Sequence, residues 1–209
     1  MSQKALEREL WQWQQVIRSH PNQPRGYVQR GMVRFKLCQI AESIQDFDQA
    51  EQLDPRLTPY LWQRGLAYYY ADRFQEGAQQ FTADLAVNAQ DAEEALWRYL
   101  CIAQSQDIAA AQQSLPPLGK ESRSILRQIC DLYSDACSPE SIVSAGQKSS
   151  HQDHFYGLLY VSLYYEVRKE LAQAQHLMTE AVNVFQTRYK TNDYMGFLAI
   201  VHARLRGWY

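Results

Sequence analysis

The chain has 209 residues, enough for one domain with a substantial core or, at about 34 residues per repeat, for about six stacked helical pairs. Its 21 basic and 23 acidic residues nearly balance and form no run of like charge long enough for an interaction tail, which argues against nucleic acid as the main ligand, because phosphate binding needs clustered Lys and Arg. Met1–Leu10 lacks an apolar signal region, no window approaches a membrane span, and Cys38, Cys101, Cys130 and Cys137 lack zinc-site spacing, so a soluble, cytoplasmic protein with reduced thiols and no membrane insertion is expected.

Nothing alternates with a period of two over a useful length, so the predicted fold class is all-α. Residues 3–22 give an amphipathic leading helix with Leu6, Leu10, Trp13, Val16 and Ile17 on one side, ending at Ser19-His20-Pro21-Asn22. A first helical hairpin is predicted over 24–57, with helices at 24–37 and 40–53, and a second over 58–91, with helices at 58–71 and 74–87. Asp91-Ala-Glu-Glu is a helix start of the capping-box type and opens a third, degenerate unit over 92–118. Asp107 caps that unit's second helix, and Pro116-Pro117 stops it early. A short helical pair follows over 121–146, where Ile125, Leu126, Ile129, Leu132 and Tyr133 form a stripe and Ser138-Pro139-Glu140 starts the second helix. The polar run Gln147–Asp153 reads as an exposed flexible connection. Residues 152–187 read as a fourth hairpin out of register with the first three, and 192–207 as a closing helix with Tyr194, Phe197, Leu198, Val201 and Leu205 on one side.

Segments 60–81 and 26–47 overlay at a constant offset of 34 residues: Gln29-Arg30-Gly31 falls on Gln63-Arg64-Gly65, Phe35 on Tyr69, Glu42 on Glu76, Gln45 on Gln79 and Phe47 on Phe81. Two helices approach closely only where side chains are small, which gives Gly31, Ser43 and the plug Phe47 their meaning, followed by Ala50 and the helix-stopping Pro55. The second unit repeats this with Gly65, Tyr68, Gly77 and Phe81, and departs at Asp84 and Ala89, which predicts a looser exit. Period and pattern resemble the tetratricopeptide repeat (TPR). That resemblance implies a right-handed TPR α-solenoid of about eleven to twelve helices with leading and closing cap helices. Taken together, Leu61-Trp-Gln-Arg-Gly-Leu-Ala-Tyr-Tyr69, Asp91-Ala-Glu-Glu-Ala-Leu-Trp97 with Leu100-Cys101, Phe155–Tyr165 and Asp193-Tyr-Met195 resemble a TPR-like group of cyanobacteria and plant plastids, distantly similar to NlpI-type lipoprotein adaptors. The implied function is a non-catalytic protein-protein interaction scaffold or adaptor, such as an assembly factor or protein-handling adaptor of a photosynthetic cell. The lipoprotein signal and lipidated cysteine of the NlpI type do not occur in this sequence.

In TPR arrays the concave face draws on positions two, five, nine, twelve and thirteen of the first helix of each pair. The resemblance assigns Arg25, Val28, Met32, Phe35 and Lys36 from the first unit, Pro59, Trp62, Leu66, Tyr69 and Tyr70 from the second, and Glu93, Leu96, Leu100 and Gln104 from the third. Such a groove suits an apolar helix or peptide of another protein, anchored on Trp62, Leu66 and Tyr69 and oriented by Arg25 and Lys36 at the rim. The alternative is that part of this set is covered by the leading helix or a neighbouring repeat. The positions that hold a chaperone's terminal carboxylate in other TPR domains are occupied here by Val28, Met32, Gln63, Glu93 and Trp97, none of them a clamp residue, so no such tail is expected to bind.

Tyr156, Tyr160 and Tyr164 recur every four residues, a stripe that serves either as a second candidate interface or as core. His151 and His154 have a spacing that can share a metal at a helix start, against the reading of a solvated cap; Cys130 and Cys137 are read as buried free thiols. Asp46 and Asp48, two apart, point to different sides of a helix and make no catalytic pair. With no phosphate loop, nucleophile elbow or zinc-protease motif, the expectation is a protein-binding scaffold without enzymatic activity, cofactor or metal. A structural subunit of a larger complex, or a metal- or small-ligand-binding helical domain, is the alternative.

Overall fold

The computed structural model describes residues 2–116 and 121–208. Among these residues there are twelve α-helices, one 3-10 turn and one π turn, and no strand. The sequence reads as one domain, whereas the residues gather into two compact units, Met1–Ala89 and Gln90–Tyr209. The end of the third predicted unit, at 117 and 118, lies outside the described residues.

In the first unit, α1 (Gln3–Ser19) is capped by Ser2, whose hydroxyl accepts from the Ala5 amide at 3.3 Å. It lays Leu6 and Ile17 against α2 (Pro24–Lys36). Gly26 makes this possible, since a β-carbon there would stand 3.0 Å from Ile17 Cγ1. Helix α2 pairs with α3 (Ile40–Leu53), and α4 (Trp62–Tyr70) pairs with α5 (Phe74–Val87). The two hairpins close in the same way. A β-carbon on Gly31 would meet the Phe47 ring at 3.1 Å and one on Gly65 would meet the Phe81 ring at 2.6 Å, so each glycine is the notch and each phenylalanine the plug.

The shared arginine has a matching role. Arg30 grips Asp46 with two nitrogens at 2.6 to 3.1 Å, and 34 residues later Arg64 Nε donates to Gln80 Oε1 at 2.9 Å. Arg64, only 5% exposed, also donates to Glu51 at 2.7 and 2.8 Å and to Asp48 at 3.1 Å. That pairing, opposed by partial burial, holds the Glu51 carboxyl down to about 2. Asp46 and Asp48 thus serve different arginines. Asp84, where the repeat pattern departs, is fully buried and accepts from Gln80 Nε2 at 2.7 Å.

The predicted start of the second hairpin at 58 is corrected: Pro55–Tyr60 form a 3-10 turn capped by Asp54, and α4 begins only at Trp62. Pro59 has no N–H for an α-helical ladder, and its ring crowds the carbonyl four residues back.

The second unit contains α6 (Ala92–Ser105), α7 (Ile108–Ser114), α8 (Ser124–Tyr133), α9 (Pro139–Lys148), α10 (His151–Val167), α11 (Leu171–Val184), the π turn Phe185–Tyr189 and α12 (Tyr194–Leu205). Asp91 accepts from the Glu93 and Glu94 amides at 2.9 and 3.1 Å, and Asp107 from the Ala110 amide at 2.8 Å, as their positions predict. Gln147–Asp153 is not a flexible connection. Helix α9 continues to Lys148 and α10 starts at His151, inside the run read as a connection, because Ser150 caps it by accepting from the Asp153 amide at 3.0 Å. Gly146 lets the helices meet: a β-carbon there would lie 2.6 Å from the Asp153 carbonyl oxygen.

A recurrent turn organises both units. Cys38, Asp72, Asp135 and Lys169 have φ of 61°, 57°, 58° and 66°, each just past the end of α2, α4, α8 or α10. In each case the following amide reaches back five residues, from Gln39 to Arg34, Arg73 to Tyr68, Ala136 to Asp131 and Glu170 to Tyr165, at 2.8 to 3.0 Å. This is the Schellman ending of a helix, here with side chains other than glycine in the left-handed position. Helix α12 ends alike at Gly207, with Trp208 bonded to Ala203. Cys38 and Asp72 are 34 apart, and so are Asp135 and Lys169. The fourth hairpin thus keeps the internal spacing of the earlier hairpins while standing out of register with them. Its Ser162, Ala174, Met178 and Ala181 are all buried at the spacing of Gly31, Ser43, Phe47 and Ala50, and Ser162 donates to the Ala174 carbonyl at 2.7 Å as Ser43 does to Gly31 at 2.8 Å. The period slips only between the α6–α7 turn at Gln106 and Asp135.

Because a left-handed backbone at a residue with a β-carbon costs about 1–2 kcal/mol, partly offset by glycine's greater freedom when unfolded, Lys169→Gly is expected to raise stability by about 0.5 kcal/mol. Lys169 is exposed. A urea midpoint equal to or below wild type would contradict this.

Candidate protein-binding face

Nine of the groove residues predicted from the sequence keep accessible surface: Arg25 is exposed, and Val28, Met32, Lys36, Pro59, Trp62, Tyr70, Glu93 and Gln104 are half-buried. Phe35, Leu66, Tyr69, Leu96 and Leu100 are 0% exposed and are corrected from contact surface to core. The physical reason is packing within the helical layers. Phe35 meets the Tyr70 ring edge-on at 5.6 Å, and Tyr69 meets Tyr70 and Phe74 edge-on at 5.4 Å, so these rings spend their faces on each other. Of the three anchors inferred from the resemblance, only Trp62 retains surface.

Within the first unit the face is carried by α2 and α4. Gln63 Nε2 lies 3.7 Å from Met32 Sδ, which with the Phe35–Tyr70 contact holds the two helices side by side. Lys36 is partly withdrawn from water. Burial lowers its pKa, and the nearby Glu9 of α1 works against that shift. The rim thus has one exposed cation, Arg25, and one partly desolvated cation, Lys36, around Val28, Met32, Trp62 and Tyr70.

In the second unit two of the three residues of the tyrosine stripe, Tyr156 and Tyr160, are core. Tyr156 is 7% and Tyr160 0% exposed, and their hydroxyls are spoken for: Tyr156 donates to Asp193 at 3.1 Å and Tyr160 to Glu93 at 3.2 Å. Arg123 bridges Glu93 and Glu121 at 2.7 and 2.8 Å, and Tyr189 joins Asp193 at 2.8 Å. Burial raises the Glu93 pKa against the pull of Arg123, and burial raises those of Tyr156 and Tyr160. Tyr164, half-buried, donates to Asp135 at 3.1 Å, lies beneath the Arg168 guanidinium at 3.5 Å, and is pushed up to about 12, mainly by burial. The every-fourth spacing revealed the stripe but not its partners, which come from residues 29 to 67 positions away.

His151 is exposed while His154 is buried, its Nε2 3.8 Å from Glu180, and burial lowers its pKa. Among the described residues no group of three or more His, Cys, Asp or Glu side chains is placed to hold a metal ion. The cysteines are unbridged; burial raises the Cys101 pKa and pushes Cys130 up to about 12, leaving both as poor thiolates. No protein-family model and no curated protein matches the chain.

Proposed function

We propose that the protein is a non-catalytic scaffold of the TPR type, its hairpins stacked in the right-handed sense of that repeat, which binds a segment of another protein on the α2–α4 face. The observation that carries this reading is the equivalence of Gly31 with Phe47 and of Gly65 with Phe81, one notch and plug recurring at 34 residues. Stacked helical pairs of this kind leave the first helix of each pair to line an extended surface, and such surfaces serve recognition. Adaptor or assembly work in a photosynthetic cell is the narrower form of the proposal, resting on the sequence resemblance alone.

On this reading Trp62 is the anchor, with Met32 and Tyr70 beside it and Arg25 and Lys36 at the rim. A large, half-exposed aromatic between apolar neighbours is the residue type that dominates binding energy, and truncating one typically costs about 2 kcal/mol or more, about thirtyfold in affinity. Affinity purification from native extract with quantitative mass spectrometry tests it. Trp62→Ala is expected to lose the proteins that wild type enriches, with helix content unchanged, whereas Arg25→Ala lowers recovery only modestly. Equal enrichment by folded Trp62→Ala would remove the α2–α4 face from consideration.

A further inference from the structure

We propose that the groove between α9 and α11 is a binding site for a small organic cation with an apolar body, an alkyl- or arylamine. The groove encloses about 340 Å³ and lies wholly within the second unit. Val161 and Tyr165 of α10 form its floor, with Val143 of α9 and Leu177 of α11 as walls. Pockets for small ligands start at about this size and are mostly apolar with a few placed polar groups. Both flanking helices pack directly on α10, so the walls are held by the helical framework.

The polar groups decide the class of ligand. Glu140 is exposed at the groove's edge, accepts from the Tyr165 hydroxyl at 3.4 Å and forms no ion pair among the described residues. No lysine or arginine lines the groove, and the other titratable group besides Tyr165 is the exposed His176. Glu170 adds a second negative charge close enough to act on Tyr165. Backbone and Ser138 hydrogen bonding hold the Glu140 carboxyl below its ordinary range, so it is ionised at neutral pH. An apolar trough with a carboxylate and a phenol at one end and no cation of its own repels anions and attracts an ammonium group, while the aliphatic walls take up a carbon chain. This site uses helices distinct from the α2–α4 face and stands or falls separately from the scaffold reading.

The test uses full-length protein labelled with ¹³C in valine and leucine methyls, titrated at pH 7 with n-hexylamine, 1-hexanol and hexanoate. Hexylamine is expected to shift the Val143, Val161 and Leu177 methyls saturably, at least about threefold tighter than hexanol, as befits one solvent-accessible charge pair, with hexanoate weakest. Glu140→Gln, at an exposed position whose folding is checked by circular dichroism, is expected to reduce hexylamine to the level of hexanol. Ser144→Trp, which fills the groove, abolishes all three. The proposal is overturned by the absence of saturable shifts, by hexanol or hexanoate binding as tightly as the amine, or by a folded Glu140→Gln variant that retains full amine preference.

Discussion

Gly65→Leu is expected to leave the chain largely unfolded at room temperature, and even Gly65→Ala to cost about 2–3 kcal/mol. A single methyl at Gly65 already falls 2.6 Å from Phe81 Cζ, inside the closest approach that carbons tolerate, and the ring cannot retreat because Phe81 is only 1% exposed. Over-packing a filled core by one or two carbons costs about 1–3 kcal/mol, and the four carbons of leucine would demand separation of α4 from α5, a loss comparable with a small unit's whole stability of about 5–15 kcal/mol. The same alanine at Gly31, where the approach is 3.1 Å, is expected to cost clearly less. A double-mutant cycle assigns the cause: Phe81→Leu shortens the plug, so Gly65→Ala/Phe81→Leu should be less destabilised than the sum of the two single changes. Strict additivity in urea unfolding, or a Gly65→Leu variant that melts like wild type, would mean that glycine and ring are not notch and plug.

That contact also shows what kind of information the sequence carries. The 34-residue offset marked Gly31, Gly65, Phe47 and Phe81 because close helix packing tolerates few residue types, and the helices of both first hairpins follow the predicted bounds apart from the proline-rich turn before Trp62. Caps at Asp91, Asp107 and Ser138 were legible for the same reason, a short side chain meeting a nearby amide. What escaped notice was whatever depends on three-dimensional neighbours or on tolerated backbone strain. The left-handed turns at Cys38, Asp72, Asp135 and Lys169 carry no glycine to announce them, so the return of the 34-residue spacing between Asp135 and Lys169 stayed hidden. Groove assignment failed where burial decides. Phe35, Leu66 and Tyr69 share the helix periodicity of Met32 and Trp62, and only the ring contacts with Tyr70 and Phe74 tell core from surface. In α10, twelve of seventeen residues are buried, so no single apolar stripe existed from which to infer which side of the tyrosines faced a partner.

Acid should weaken the second unit through His202, in a pH range set by that residue's burial. The imidazole on α12 is 0% exposed, its ring centre lies 5.1 Å from that of Trp208, and its Nε2 is 3.7 Å from Glu166, whose other oxygen accepts from Arg206 Nε at 2.6 Å. Burial is the largest influence and lowers the pKa to about 4; Glu166 pulls it up and Arg206 pushes it down. An unfolded chain would bind the proton near pH 6.5. Between roughly pH 6.5 and 4 the unfolded state therefore holds a proton that the folded state refuses, so stability is complete above this range and is lost as pH falls through it. The slope contributed by one such group is at most about 1.4 kcal/mol per pH unit, and the whole loss is on the order of 3 kcal/mol. His154, also lowered by burial, acts in the same sense, while Glu93, raised by burial, acts oppositely by favouring its neutral form in the fold. Glu51, held to about 2, begins to lose its contribution near its ordinary pKa of 4.5, at the acid end of this range, and loses most of it below. The comparison is therefore one of slopes rather than absolute stabilities: urea unfolding of wild type and His202→Gln at several pH values from 4 to 7. The glutamine variant is expected to start less stable yet decline less steeply with acid, by up to one proton's worth. Parallel curves would show that His202 takes up its proton equally in folded and unfolded chains, which a fully enclosed imidazole beside Arg206 should not do.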